Sequence, residues 1–343
     1  MNRCALFLTL VATAWSGAAI PQAWPQKPVR VLVGLAPGGN PDTLARMLAA
    51  KWTAALGQQF VVENRPGAGS TVAADLAAKS SPDGTTVLIS DSSVITTAPH
   101  LFKSLPYDPF RDLHPVSLAV VVPMWLVVHP SVRAGSIQEL IALAKSLKQP
   151  MPYASSGNGS IHQITMELFK ADMHVDFTHV PFKGAGQSVP AMIAGDVLLG
   201  FVGYPAAASA MKTGRLRVLA FSMARRSNLT PEVPTVAETV DPGFDMAAPL
   251  GVFVAARTPR EVVARLNRAV IDAVKAPEVV ERMGTIGMEP AGSTPEEYEK
   301  MLRGEYERFG ALIKRIGLQV DREARVFSRS SDIVVKVYLS NPG

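Results

Sequence analysis

VRVLVGLAPGGNPDTLAR, residues 29–46, is the stretch whose reading decides the fold. Val29, Val31 and Val33 alternate with Arg30 and Leu32, a short β-branched run expected to form a largely buried strand. Pro37, Gly38 and Gly39 then sit in a loop over residues 36–40, and Pro41 with Asp42 opens a run (Leu44, Ala45, Met47, Leu48) with helical spacing. Proline at a first helical position, an acid in the first turn and Gly57 downstream are start and stop signals. The unit is strand, glycine loop, helix N-terminus. Backbone N–H groups at a helix start have no intrahelical partner and lie at the positive end of its dipole. Glycines that allow close approach make such an end a seat for a carboxylate or phosphate; a tight βα turn without a ligand is the competing reading.

The same unit recurs. Residues 60–62 read as a second strand, followed by ENRPGAGS (63–70) and an alanine-rich helix through Ala78. Pro82, Asp83 and Gly84 form a turn before a third strand at 86–89. Alternating β and α units predict an α/β fold with a parallel sheet covered by helices on both faces. Ser92, Ser93, Thr96 and Thr97 fall at the carboxyl end of that third strand, where open α/β sheets bind ligands, and a helix cap or turn is their plainer role. LPYDPFRDLHPV (105–116) is too proline-rich for a helix and reads as a connecting loop. Residues 117–128 are apolar, broken by Pro123, the length of one or two buried strands and too short to cross a membrane.

A second α/β region opens with Ser136 and Glu139, spaced as a capping box for a helix over 137–147. MPYASSGNGSIHQITMELF (151–169) repeats the opening architecture: a brief strand, a Ser/Gly loop, and a helix carrying Ile161, Ile164, Leu168 and Phe169. Two such helix starts facing each other across a cleft would grip one carboxylated molecule from both sides. Strands are expected at 177–180, 197–202 and 216–222, with a glycine turn PFKGAG (181–186) and helices at 188–194 and 205–213. The proline-punctuated stretch 228–249 reads as the return to the first domain, completed by a strand at 252–255. Thr258 with Glu261 and Thr294 with Glu297 are spaced as capping boxes with proline in the first turn, opening helices of roughly twenty residues. The expected division is domain 1 over 24–122 and 250–320, and domain 2 over 123–249, crossing near Pro123 and hinging around a ligand.

Composition bounds the function. With 343 residues, 18% charged and 48% hydrophobic, the chain suits a globular protein of about two domains. Residues 1–23, MNRCALFLTLVATAWSGAAIPQA, have the layout of a secretory signal peptide, with cleavage expected after Ala19 or Ala23. The only cysteine, Cys4, precedes the apolar run, so an exported domain would carry neither thiol nor disulfide. The formal charge of +5 is dispersed among acids, with no basic stripe interleaved with aromatics, which argues against nucleic acid. No G-x-S-x-G elbow, H-E-x-x-H helix, Walker loop or full G-x-G-x-x-G fingerprint is present. Ser155, Ser160 and His162 share one loop, but a nucleophile and base must converge with an oriented imidazole, which neighbours on a helix start rarely do. His174 and Asp176 fall on one face of a strand and His179 on the other, which disfavours a metal site. No cofactor or metal is expected, and Asp42 is assigned to loop architecture, since its charge would repel an anion.

APGGNPDTLAR, VVENRPGAGS, SPDGTTVL, LPYDPFRDLHPVS, YASSGNGSIHQITMELF, HVPFKGAGQSVPAMIAGDV, GRLRVLA and EVPTVAE, in this order, resemble the periplasmic receptors of tripartite tricarboxylate transporters, the TctC or Bordetella uptake gene (Bug) family. The resemblance covers about residues 24–320. It implies a type II periplasmic-binding-protein fold: two α/β domains with a hinge and a ligand cleft between them. It also implies a monomeric periplasmic receptor that captures a small carboxylate and delivers it to membrane permease subunits. In that family two loops, each leading into a helix, pinch a ligand carboxylate through backbone amides, hydroxyls and ordered water. The matching positions are Ala36, Gly38, Gly39, Asn40 and Asp42 in the first loop, and Ser155, Ser156, Gly157, Asn158, Gly159, Ser160 and His162 in the second. Ser92 joins them from the third strand. Ser70 replaces a common glycine, Phe182 a usual tyrosine, and Gly203 with Tyr204 stands where the family often has an acid that would meet the far end of the ligand. Residues 321–343 extend past the family's usual ending and are expected to be a disordered or artefactual tail. A sensory receptor presenting ligand to a membrane kinase, and an enzyme acting on a small carboxylate, are the alternatives.

Overall fold

In the first strand, β1 (Val29–Val33), every side chain but that of Arg30 is buried: Val29, Val31 and Val33 in one apolar cluster, Leu32 on the other face in another. Burial on both faces is what a strand inside a helix-covered sheet requires. The computed structural model describes residues 24–318, so the expectations for 1–23 and for 321–343 lie outside the described residues.

The further strands are β2 (Phe60–Asn64), β3 (Thr86–Asp91), β4 (Leu113–Val128), β5 (Met151–Ser155), β6 (Phe177–Pro181), β7 (Leu199–Gly203), β8 (Arg217–Phe221), β9 (Ala247–Ala255) and β10 (Glu289–Pro290). The helices are α1 (Asn40–Leu56), α2 (Thr71–Ala78), α3 (Ser93–Thr96), α4 (Ala98–Leu101), α5 (Ile137–Ser146), α6 (Ile161–Met173), α7 (Ala185–Ala194), α8 (Tyr204–Lys212), α9 (Val236–Thr239), α10 (Arg260–Lys275), α11 (Pro277–Thr285) and α12 (Pro295–Ile316).

The sheet runs β2-β1-β3-β9-β4-β7-β5-β6, with β8 and β10 also paired to β4. It is mixed rather than all parallel. β1 is parallel to β2 and β3, and β5 to β6 and β7, but β9 runs antiparallel to β3 and β4, and β4 antiparallel to β7 and β8. The cause is topological. β4 carries the chain out of the first βα region and β9 brings it back, so the two crossings lie side by side in opposite directions, from Leu113 opposite Ala255 to Pro123 opposite Ala247. At Met124, β4 leaves β9 and takes β7 and β8 as partners through Val128.

β4 is one strand of 16 residues that starts at Leu113, inside the stretch expected to be a loop. Pro115 sits where the β4–β9 register shifts, which lets a residue without an N–H enter a strand. One buried cluster contains Val29 and Trp52, Leu126 in β4, and Met151 and Phe177, so the core runs from one end of the sheet to the other.

The local stop and start signals act at several ends. Gly57 closes α1 in the left-handed conformation (φ 73°), donating to Thr53 O at 3.2 Å. Thr294 and Glu297 form the reciprocal capping box at α12. At α10 the expected box is absent: Thr258 Oγ1 donates back to Ala255 O at 2.7 Å, and Pro259 takes the capping position. At α5 the Ser136 hydroxyl accepts from Glu139 N–H, while the Glu139 carboxylate takes the N–H of Gly135.

Candidate ligand-binding site

Three helices of nine or more residues, α1, α7 and α8, begin at glycines (Gly39, Gly184 and Gly203) with no side-chain cap. Their first N–H groups are therefore left to other partners. The three starts meet. Ala36 N–H donates to Lys183 O at 2.7 Å. A Cβ placed on Gly186 would lie 2.1 Å from Pro37 O, one on Gly184 3.1 Å from Ala36 N, and one on Gly203 2.1 Å from Asn40 Nδ2. Main chain of residues 36–37 thus lies directly against main chain of 183–186, while Gly203 lies against the Asn40 carboxamide. The dipoles of all three helices direct their positive ends toward this junction.

Within the first loop, Asp42 works inward. Its carboxylate accepts from Gly38 N–H (3.0 Å), from Asn64 Nδ2 (3.0 Å) and from two Arg46 nitrogens (2.9 and 3.1 Å). Burial acts to raise its pKa, but the bonds from Arg46, Gly38 and Asn64 outweigh it and hold the group below its ordinary value. Gly38 N–H and Ala36 N–H are thereby committed within the protein. Asn40 is 4% exposed, and its Oδ1 is buried without a partner among the described residues.

The second loop differs from the first because it carries its own cap. Ser160 Oγ accepts from Gln163 N–H at 3.4 Å at the start of α6, and Ser160 N–H donates to Gly157 O at 3.1 Å. Thr97 Oγ1 donates to Gly159 O at 3.1 Å. Gly69 (φ 58°) backs onto Asn158, whose carbonyl oxygen would lie 2.3 Å from an added Cβ. Ser155 Oγ lies 2.6 Å from His179 Nε2, 3.1 Å from Gly157 N and 3.2 Å from Gly157 O, and is fully engaged. His162 is wholly buried, with both ring nitrogens unpartnered among the described residues, and burial pushes its pKa down to about 4.

Residues 182–184 join the two loops. Phe182 N–H donates to Ser155 O at 3.1 Å, while the next residue, Lys183, accepts from Ala36. Loops 36–42 and 155–162 therefore border the same region. Ser92 is tied elsewhere, to Pro249 O (3.2 Å) and the Tyr298 hydroxyl (3.0 Å). Gly203 abuts Asn40, and the Tyr204 ring packs against Trp125 with centroids 5.2 Å apart. Gly184 and Gly186 at the junction, and His179 with Gln163 behind the second loop, were not among the expected site residues. The PFKGAG turn was a visible glycine signal for the first pair, whereas the second pair meets only through the pairing of β5 with β6. Among the described residues no group of three or more His, Cys, Asp or Glu is placed to hold a metal ion, and no helix is long and apolar enough to cross a membrane.

An α/β chain whose crossing strands join two βα regions, with uncapped helix starts from both meeting at the seam, has the architecture of a periplasmic binding protein. The description "Tripartite tricarboxylate transporter family receptor" matches residues 44–318. Among similar proteins, the UPF0065 protein in the tcbD-tcbE intergenic region of Pseudomonas sp. (strain P51) is 34% identical over 301 residues, 88% of this chain and 89% of that protein. Protein BugT of Bordetella pertussis is 32% identical over 312 residues, covering 90% of this chain and 96% of BugT. Of solved structures, R. palustris Rpa4515 with adipate aligns at TM-score 0.84 and 31% identity, covering 87% of this chain and all of that one. MatC from Rhodopseudomonas palustris, with bound malate, aligns at TM-score 0.81 and 30% identity over 84% of this chain and all of MatC. The chain belongs to the tripartite tricarboxylate transporter receptor family, TctC, whose members include the Bug proteins and which is a family of solute-binding receptors.

Proposed function

We propose that this protein is an exported periplasmic receptor, not an enzyme, that captures a small carboxylate and delivers it to the permease subunits of a tripartite tricarboxylate-type transporter. The observation that carries this reading is the meeting of helix starts from both sides of the seam that have no side-chain cap: the positive ends of their dipoles at one place favour a compact anion. Rpa4515 with adipate and MatC with malate make dicarboxylates the first class to test. The guest sits between loop 36–42 (Ala36, Gly38, Gly39, Asn40) and loop 155–162 (Ser156, Gly157, Asn158, Gly159, His162). The lobes are 24–122 with 250–320, and 123–249, closing about the β4–β9 crossing. It acts as a monomer without a cofactor.

The energetics are adequate. A hydrogen bond to a charged group is worth about 1.5–3 kcal/mol net and a helix dipole about 0.3–1 kcal/mol. A few such contacts reach the roughly 8 kcal/mol of micromolar binding after ordering costs. Titration calorimetry with malate and adipate tests the reading. Gly39→Asp is the informative variant, because Gly39 has ordinary backbone angles and an added Cβ meets nothing closer than 3.7 Å. The folded variant is expected to lose at least tenfold in affinity. Unchanged affinity would remove the first loop from the site, and turnover of either acid would replace the receptor reading with an enzymatic one.

A further inference from the structure

Ser155 Oγ and His179 Nε2, 2.6 Å apart, have the spacing of a nucleophile and its base, yet their surroundings fix the opposite polarity. Gly159 N–H, which can only donate, points at Gln163 Oε1 at 2.7 Å. The other end of that carboxamide, its NH2, therefore faces His179 Nδ1 at 3.2 Å, and it too can only donate. Nδ1 must be the bare nitrogen, and a neutral imidazole then carries its proton on Nε2. The bond runs from His179 to Ser155. Ser155 Oγ accepts from His179 Nε2–H and from Gly157 N–H, and turns its own hydrogen toward Gly157 O.

Every alternative sets donor against donor. A proton on Nδ1 would face the Gln163 NH2, and turning the carboxamide over would put that NH2 against Gly159 N–H. Tyr153 stacks on the imidazole, with centroids 4.9 Å apart at 27°, and holds its plane. Burial opposes a second proton on His179, and so does the charge of Lys170, which is paired with Glu167 and Asp176 and lies over the Tyr153 ring.

We infer that His179 is a positioning residue of the second ligand loop: a hydrogen-bond donor that braces Ser155, held in one tautomer by Gln163. The inference rests on reading loop 155–162 as a ligand seat. It also says what Ser155 does not do. For Ser155 Oγ to bond to an electrophile, its proton must pass to a bare nitrogen, and the nitrogen in reach is already protonated.

Long-range 1H–15N correlation spectra of the full-length mature protein, labelled at histidine nitrogens and free of ligand, test the tautomer. His179→Gln identifies the resonance by its loss. The wild type should show His179 protonated on Nε2 alone at pH 7. Gln163→Glu keeps an acceptor for Gly159 N–H but offers a second one to Nδ1, and should move the proton to Nδ1 or give the doubly protonated ring. A wild-type Nδ1–H form, or identical spectra for wild type and Gln163→Glu, would overturn the inference. Calorimetry with malate and adipate gives the second arm. His179→Gln, which retains a donor near the Nε2 position, should bind within about threefold of wild type, and His179→Leu at least tenfold more weakly. Equal loss in both overturns the positioning role. If the wild type takes up neither acid, the carboxylate reading falls while the spectra still decide the tautomer.

Discussion

Asn40 and Gly203 show how residues from distant parts of the sequence define one another's limits. The Asn40 carboxamide occupies the place where any Cβ on residue 203 would project. Gly203→Ala should therefore displace the Asn40 side chain and weaken malate binding, while the fold, which needs no left-handed angle at this position, persists. In an Asn40→Ala background the same change should cost little, and a double-mutant cycle read by calorimetry gives the coupling. His162 carries a pH prediction. Its folded pKa is depressed to about 4 from 6.5. Between those values the unfolded chain holds the extra proton, so stability is full above pH 6.5 and declines as pH falls toward 4, by up to about 1.4 kcal/mol per unit. Relative to His162→Gln, wild-type stability measured by urea unfolding should drop across this window and level below it. The inward role of Asp42 was legible, because an acid in a first helical turn beside an expected anion seat would repel the guest unless it held the loop; that Arg46 and Asn64 are its partners was not. The Ser155–His179 contact was not, because it depends on Tyr153 lying opposite His179 in the pairing of β5 with β6, which no local pattern announces.

Elements were read best where the signal is local. Proline and glycine punctuation placed α1 and its end, and the Thr294 box placed α12. Thr258-Pro259-Arg260-Glu261 follows the same T-P-x-E pattern as Thr294-Pro295-Glu296-Glu297, yet only the second makes a box. β9 ends at Ala255, so the Thr258 hydroxyl is drawn back to close that turn. Thr294→Ala should accordingly cost about 1 kcal/mol in chemical denaturation, and Glu261→Ala, at an exposed position without the reciprocal bond, less than about 0.5 kcal/mol. β4 was half read. Its apolar run was visible, but its early start at Leu113 and its antiparallel direction come from β9, a partner more than a hundred residues away in sequence.

At the scale of the whole molecule, the sheet is continuous and one core cluster spans it, because β4 belongs to both pairing systems and gives that cluster Val116, Val122, Leu126 and Val128. A pair of independently stable domains would unfold in two steps. A shared strand predicts one cooperative transition, with calorimetric and van't Hoff enthalpies agreeing and a midpoint that rises as a whole when malate is added. Two resolved peaks would show that the strand divides. Contacts between the two proposed lobes, such as Ala36 with Lys183 and Thr97 with Gly159, are single hydrogen bonds, a modest barrier to the proposed opening beside the core that joins the halves.

The glycine starts of α1, α7 and α8 carry an evolutionary corollary. Substitution alters side chains and leaves the amide groups of the chain as they were. On the proposed reading, a clasp assembled from amides keeps its chemistry while neighbouring letters drift, so paralogues can exchange one cargo for another by altering the few side chains around the rim, with the grip inherited intact.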